Sequence, residues 1–297
     1  MQTVTLARNA MATRFEVALI GEDPVRLRAA GEAALAEVDR LEARLSLYRP
    51  TSEIARVNAH AALEPVRVSP PVFRLLEHAR QLHRETGGAF DIAIAPLVRS
   101  WGFMSHSERI PDPAQLAQAR LHAGMEHVTL DSESVTVRFD RQGVMIDLGA
   151  IGKGYAIDRA AEILREAGVT RALLHGGTST VYGIGAPPDQ EGWKVAIAGS
   201  QDESQTVATV LLRDSALSVS AVWARSFEAE GKKFGHVIDP RTGQPVNNAV
   251  LAAVALPSAT ETDALSTALL VLGSEGHGAI AKLRPKMHTW LLPQTEP

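Results

Sequence analysis

Hydrophobic and polar positions along the chain fall into two periods. Residues 13–19 alternate, with Phe15, Val17 and Leu19 sharing one side, which predicts a half-buried strand. Across residues 25–45 the apolar positions Leu27, Ala30, Ala34, Val38, Leu41 and Leu45 recur every three or four residues, the spacing of an amphipathic helix. A second helix begins after Pro71, turns Val72, Leu75, Leu76, Ala79 and Leu82 inward, and stops at Gly87-Gly88. Residues 126–130 and 134–139 flank a polar turn and predict a β-hairpin. Residues 153–167 read as a helix ended by Gly168, with a strand over 171–174 behind it.

Residues 193–198, 206–212 and 251–256 are further strand candidates, and 183–192 is a Pro/Gly-rich loop. Ser258 and Glu261 carry the spacing of a capping box, which opens a last helix running through Leu272 and closing at Gly273. Helices and strands are interspersed and several strands are adjacent in sequence. The expected class is therefore α+β, with largely antiparallel sheet flanked by helices, in a single domain over residues 1–297.

Composition narrows the function classes. A chain of 297 residues can bury a full core, and 45% hydrophobic with 22% charged residues is ordinary for a globular protein. The formal net charge of -4, without a basic run, argues against nucleic acid as a partner. The absence of cysteine excludes disulfides, thiolate metal sites, a cysteine nucleophile and a lipid-anchoring cysteine. The first ten residues lack an apolar signal core, and no run approaches the roughly 18–20 apolar residues of a transmembrane segment. A cytoplasmic location is expected for the chain as written, and a periplasmic one if a leader has been removed.

Four stretches could carry chemistry. Ile146-Asp-Leu-Gly-Ala-Ile-Gly-Lys-Gly-Tyr155 runs from an expected strand into a helix through closely spaced glycines. Such a turn lets backbone amides approach an anion, with Lys153 adding charge, although it matches neither common nucleotide-binding glycine pattern. The alternative is an ordinary strand–helix turn in which Asp147 is a satisfied polar residue. Asp263 and Thr267 stand four apart in the last helix and so share a face. Paired oxygens of this kind suit Mg²⁺; equally, Asp263 would offset the helix dipole while Thr267 packs.

The third stretch, Gly235-His-Val-Ile-Asp-Pro-Arg-Thr-Gly-Gln-Pro245, concentrates His, Asp, Arg and Thr beside two turn signals, and reads as a site or as a tight loop. In the fourth, Thr86-Gly-Gly-Ala-Phe-Asp91, helix capping accounts for the glycines and packing for Phe90, leaving Asp91 as the functional candidate. Tyr48, in the polar turn after the first long helix, is either buried or a stacking surface for a planar ring.

Taken in order, Met11-Ala-Thr-Arg-Phe, Leu45-Ser-Leu-Tyr-Arg-Pro, Gly87-Gly-Ala-Phe-Asp, Asp147-Leu-Gly-Ala-Ile-Gly-Lys-Gly-Tyr, Gly235-His-Val-Ile-Asp-Pro-Arg-Thr-Gly and Thr262-Asp-Ala-Leu-Ser-Thr267 resemble the ApbE family of FAD:protein FMN transferases. The resemblance spans residues 11–273. It implies a fold related to the T-fold, with FAD held between two closely packed lobes. It implies FAD contacts at Met11, Tyr48, Ala89, Phe90, Asp91, Asp147, Lys153, His236, Val237 and Ile238. It further implies a magnesium held by a main-chain oxygen at Ala150 and by the side chains of Asp263 and Thr267.

The implied reaction is Mg²⁺-dependent transfer of FMN from FAD to a Ser or Thr hydroxyl of an acceptor protein bearing a short flavinylation motif. Asp263 would act through the metal, and His236 or a nearby carboxylate would take the proton. Two alternatives use the same site: an FAD pyrophosphatase releasing FMN and AMP, and a non-catalytic FAD-binding protein. The chain departs from the usual family pattern at Ser220-Ala221-Val-Trp-Ala224 and at His175-Gly-Gly-Thr-Ser-Thr180.

Overall fold

The computed structural model describes residues 1–105, 107–199 and 205–294. The chain opens with a long hairpin, β1 (Gln2–Ala10) and β2 (Thr13–Gly21), followed by α1 (Pro24–Leu45) and α2 (Glu53–His60). Next come β3 (Val66–Arg67), α3 (Pro70–Glu85), α4 (Ala95–Ser100), α5 (Pro113–Arg120), β4 (Val128–Asp131) and β5 (Thr136–Phe139). The second half holds α6 (Gly152–Glu166), β6 (Ala172–Gly176), β7 (Thr180–Ile184), β8 (Trp193–Ala198), β9 (Thr206–Leu212) and β10 (Ser215–Ala221). It ends with β11 (Ser226–Ala229), β12 (Lys232–Gly235), β13 (Ala249–Leu256), α7 (Ala259–Ile280) and β14 (His288–Pro293).

Seven strands form one antiparallel sheet in the order β1-β2-β6-β7-β10-β13-β14. Strand alternation sorts its side chains onto two faces. Phe15, Val17, Leu19, Leu174, Ala252 and Val254 join the main core with α1, α6 and α7. Val181, Leu217, Leu251, Ala253 and Ala255 face the other way and are covered by Trp193, Ile197 and Leu212 of the β8–β9 hairpin. β13 is buried on both faces, which is why its sequence is an unbroken apolar run. The expected α+β class, with antiparallel sheet flanked by helices, is the class observed.

The predicted helices stand where the 3.6-residue period put them, and α1 buries all six of its predicted core positions. The Asp23 side chain caps α1 by accepting from the Val25 and Arg26 amides, each at 3.0 Å.

Three local expectations need correction. Residues 144–148 form no strand; the Asn58 amide pairs with both backbone groups of Ile146, and the Asp147 amide donates to Ile92 O at 2.7 Å. α7 does not close at Gly273. That residue (φ 60°, ψ −151°) kinks the chain, which then re-enters helix as far as Ile280. The capping box forms only in half: Ser258 Oγ accepts from the Glu261 amide at 3.3 Å, but the Glu261 carboxylate binds Arg284 and His78 instead.

Candidate functional site

Two helices meet at the centre of the site. α6 starts at Gly152 behind Ile151, a residue with no side-chain oxygen to cap the exposed amides. The missing cap comes from α7: the Gly154 amide donates to Asp263 Oδ2 at 3.0 Å. The other oxygen of Asp263 lies 3.7 Å from Lys153 Nζ, which donates to Gly149 O at 3.0 Å. Asp263 is only 4% exposed, so this carboxylate is held by an amide and an ammonium rather than by water.

One helical turn on, Thr267 Oγ1 donates back to Asp263 O at 3.3 Å, which leaves its lone pairs for another partner. Ser220 of β10 stands against it, with Oγ 3.2 Å from Thr267 Oγ1 and 2.9 Å from Ser266 Oγ. Behind them Ser218 bridges Thr180 and Thr262 in a fully buried hydroxyl seam between sheet and α7. This seam fixes the rotation of α7, because turning the helix would leave buried hydroxyls without partners.

Every predicted site residue except Tyr48 lines one cavity of about 510 Å³: Met11, Ala89, Phe90, Asp91, Asp147, Ala150, Lys153, His236, Val237, Ile238, Asp263 and Thr267. Tyr48 lines an adjoining cavity of about 330 Å³, which shares Met11, Ala12, Asp147, Gly149 and Lys153 with the first. The tyrosine is 65% exposed, so the buried alternative does not hold. Stretches separated by more than 200 residues thus converge on one continuous groove.

Sequence spacing overstated two of the candidate motifs. The glycine turn spends several of its amides inside the protein: Gly149 on Asp147 Oδ1, Ile151 and Gly152 on Leu148 O, and Gly154 on Asp263. Positive charge there comes chiefly from Lys153. In the histidine loop, Asp239 is taken up by the Arg241 amide and guanidinium, while Trp101 Nε1 donates to Gly243 O at 2.9 Å. Those polar residues build the turn, and the preceding His236, Val237 and Ile238 face the cavity. Asp91 is similarly occupied: Ala93 and Met125 amides donate to it at 2.7 and 3.1 Å, and His83 Nδ1 lies 3.2 Å away.

His236 brings an imidazole to the cavity beside the ammonium of Lys153. Burial pushes its imidazole below the usual range, against the opposing pull of its Arg225 carbonyl contact; the positive charges of Lys153 and Arg225 add to the lowering. Its Nδ1 lies 3.1 Å from that carbonyl, an acceptor, so Nδ1 carries the hydrogen and Nε2 keeps a lone pair. The edge of the ring abuts Phe103, 6.5 Å between centroids, in an aromatic cluster with Trp101, Phe227 and Phe234. Asp147 behaves oppositely: burial raises its carboxyl, and the Gly149 amide and Lys153 pull it back.

The oxygen donors at Asp263 and Thr267, with Ala150 on the same cavity wall, are hard and few. Among the described residues no cluster of three His, Cys, Asp or Glu side chains could hold a metal. A set with a single carboxylate suits Mg²⁺, which retains waters and takes phosphate oxygens from its substrate. Cavity residues that the sequence did not mark as site residues include Ala12, Thr178, Ser179, Val219 and Ser220. The stretches around Thr178 and Ser220 stood out in the sequence only as departures from the family pattern.

Comparison with known proteins gives the chain its family. The ApbE family model matches residues 11–291. The FAD:protein FMN transferase of Vibrio cholerae is 30% identical over 290 residues, covering 95% of this chain and 85% of its own. That of Salmonella typhimurium is 31% identical, covering 89% and 77%. Among solved structures, the ApbE protein of Thermotoga maritima superposes with a TM-score of 0.89 at 26% identity, covering 98% of this chain and 94% of its own. The flavin transferase ApbE of Vibrio cholerae does so at 0.85 and 27%, covering 99% and 94%. With its family motifs running from the first hairpin to α7 and gathered on one groove, this chain belongs to the ApbE family.

Proposed function

We propose that the chain is an FAD:protein FMN transferase, moving the FMN half of FAD onto a Ser or Thr hydroxyl of an acceptor protein. One observation carries the reading: a buried carboxylate, a hydroxyl, an ammonium and an imidazole line one cavity of about 510 Å³, which adjoins a second of about 330 Å³. Relatives about 30% identical over most of their length carry the name of that activity.

In the reaction, the acceptor oxygen attacks the FMN phosphorus, the bond to the bridging oxygen of the diphosphate breaks, and AMP leaves with that oxygen. The acceptor proton passes to Nε2 of His236, which is neutral at physiological pH and carries the free lone pair. Lys153 offers an ammonium to the phosphate oxygens, and its present partners, the Gly149 carbonyl and Asp263, hold it at the cavity wall. Ala150, Asp263 and Thr267 would hold Mg²⁺, which supplies charge neutralisation at a diphosphate. Tyr48 and Met11 would face the flavin ring in the smaller cavity.

The test combines purified protein, FAD, Mg²⁺ and a candidate acceptor, read by flavin fluorescence in a denaturing gel. A covalently fluorescent acceptor is expected, lost on omitting Mg²⁺ and lost in the Asp263→Ala variant. AMP release without acceptor would make the chain a pyrophosphatase instead. Tight FAD binding with no AMP release under any condition would make it a carrier.

A further inference from the structure

The turn between β1 and β2 breaks a local rule. Ala10 pairs with Thr13, so Met11 and Ala12 are the whole loop, and both have positive φ, 51° and 57°. A two-residue hairpin adopts this turn because its twist matches the strands, and Asn-Gly is the pair that accepts it readily. Met and Ala each bring a Cβ into the left-handed region, where it crowds the backbone. Both residues line both cavities. Sequences keep such a conflict where a site needs it, and something nearby must hold the conformation.

Glu42, in the last turn of α1, is that holder. Its Oε1 accepts the Met11 amide at 3.0 Å, and its Oε2 accepts Arg49 Nη2 at 2.5 Å. Arg49 directly follows Tyr48, whose exposed ring lines the smaller cavity together with Met11. One carboxylate therefore ties the strained turn to the Tyr48-Arg49 loop, and both line the same cavity. Its side chain is 19% exposed; the bond to the Met11 amide is partly buried, while the bond to Arg49 is open to water.

We infer that Glu42 is a positioning residue that sets the gap between the Met11-Ala12 turn and the Tyr48-Arg49 loop, and so the grip on the planar ring of the flavin substrate. The inference rests on the reading of the groove as an FAD site. Glu42 and Arg49 themselves line the smaller cavity; the role inferred for Glu42 runs through the Met11 amide and the Arg49 guanidinium.

The experiment measures FAD affinity by quenching of flavin fluorescence, without Mg²⁺ or acceptor, and steady-state transfer separately. Glu42→Ala should weaken FAD binding about tenfold, through loss of both charge-assisted hydrogen bonds of the carboxylate, with kcat at saturating FAD within about twofold. Glu42→Gln keeps an oxygen for the Met11 amide but turns its NH2 toward Arg49, so it should lose about threefold, as Arg49→Met does, and less than Glu42→Ala. Adding Ala12→Gly to Glu42→Ala should recover part of the lost affinity, because glycine holds positive φ without the clamp, while the tie to Arg49 stays broken. If Glu42→Ala does not fold, Arg49→Met severs the other half of the clamp and should raise the FAD dissociation constant by about threefold or more.

Unchanged FAD affinity in a folded Glu42→Ala protein, or in Arg49→Met where that variant must stand in, overturns the role. So does a Glu42→Gln protein as impaired as Glu42→Ala, or no recovery with Ala12→Gly. Wild-type protein that fails to bind FAD overturns the functional reading and this inference with it, whereas normal wild-type binding confines any failure to Glu42.

Discussion

Gly154 and Asp263 approach so closely that no side chain fits between them. The Gly154 amide donates to Asp263 Oδ2 at 3.0 Å, and a Cβ on Gly154 would lie 2.8 Å from Asp263 Cβ and 2.1 Å from Ala259 O. The glycine is required here by contact between helices rather than by its dihedral freedom. Gly154→Ala should therefore destabilise the protein by about 1–3 kcal/mol or more, since backbone must move. It should also lower transfer activity by displacing Asp263. An unchanged melting temperature would show that α6 and α7 are not packed as described.

Asp158 docks the same two helices from one turn further along α6. It accepts from Ser258 Oγ, the Ala259 and Thr260 amides and Thr260 Oγ1 at 3.0, 2.8, 2.9 and 2.7 Å, and so caps α7 with a carboxylate from another helix. Asp158→Ala should cost about 2 kcal/mol of stability, with Asp158→Asn losing less. Because Asp263 follows one turn behind this cap, the Mg²⁺ concentration for half-maximal transfer should rise in Asp158→Ala. Equal Mg²⁺ requirements in variant and wild type would leave Asp158 with a purely structural role.

His236 sets the acid limb of the proposed reaction. Burial keeps its imidazole below the usual range, so protonation, which removes the lone pair on Nε2, occurs at lower pH than for a free histidine. Transfer should rise with pH through that depressed value and already be level near neutrality. His236→Asn should reduce the rate by about 10²–10⁴-fold and erase the limb. A wild-type profile still climbing between pH 7 and 8 would point to a different base.

Glu261 makes the fold sensitive to acid independently of catalysis. Burial alone would raise its carboxyl, but hydrogen bonds from His78 and Arg284 and the charge of Arg284 outweigh that and bring it down from 4.5 to about 2. A group whose folded value is depressed contributes stability in full above its unfolded value, and the contribution drains away as pH falls through the folded one. Melting temperature should thus drop across the interval from about 4.5 to 2, and Glu261→Gln should be less stable at neutrality but flatter across that interval. Parallel curves for the two proteins would remove this linkage.

Much of the fold was legible because it is written in period. α1, α3 and α6, together with β2 and the strand pairs β4–β5 and β8–β9, bury residues at regular spacing, and local physics suffices for them. β1 carries only a weak strand signature, because it is an edge strand whose fully buried positions are only Val4 and Ala10. Gly273 resembles a helix stop, but its ψ of −151° lies outside the left-handed helical cap, so the chain bends and resumes helix. The hydroxyl seam of Thr180, Ser218 and Thr262 has no apolar signature and could be found only by packing sheet against helix.

The site divides along the same line. That Asp263 and Thr267 share a face follows from helix geometry alone, and so was readable as an oxygen pair in the chain. Which way that face points follows from the hydroxyl seam, the Asp158 cap and the absent Cβ of Gly154, all of them contacts between residues far apart in sequence. Polar motifs look alike whether they hold a turn or a ligand, so Asp239 and Arg241 could not be told from His236 until the turn was closed. Spacing specifies a local conformation, because the forces that select it act within a few residues. A binding groove is a relation between distant segments, and its walls were settled by the close packing that brings them together.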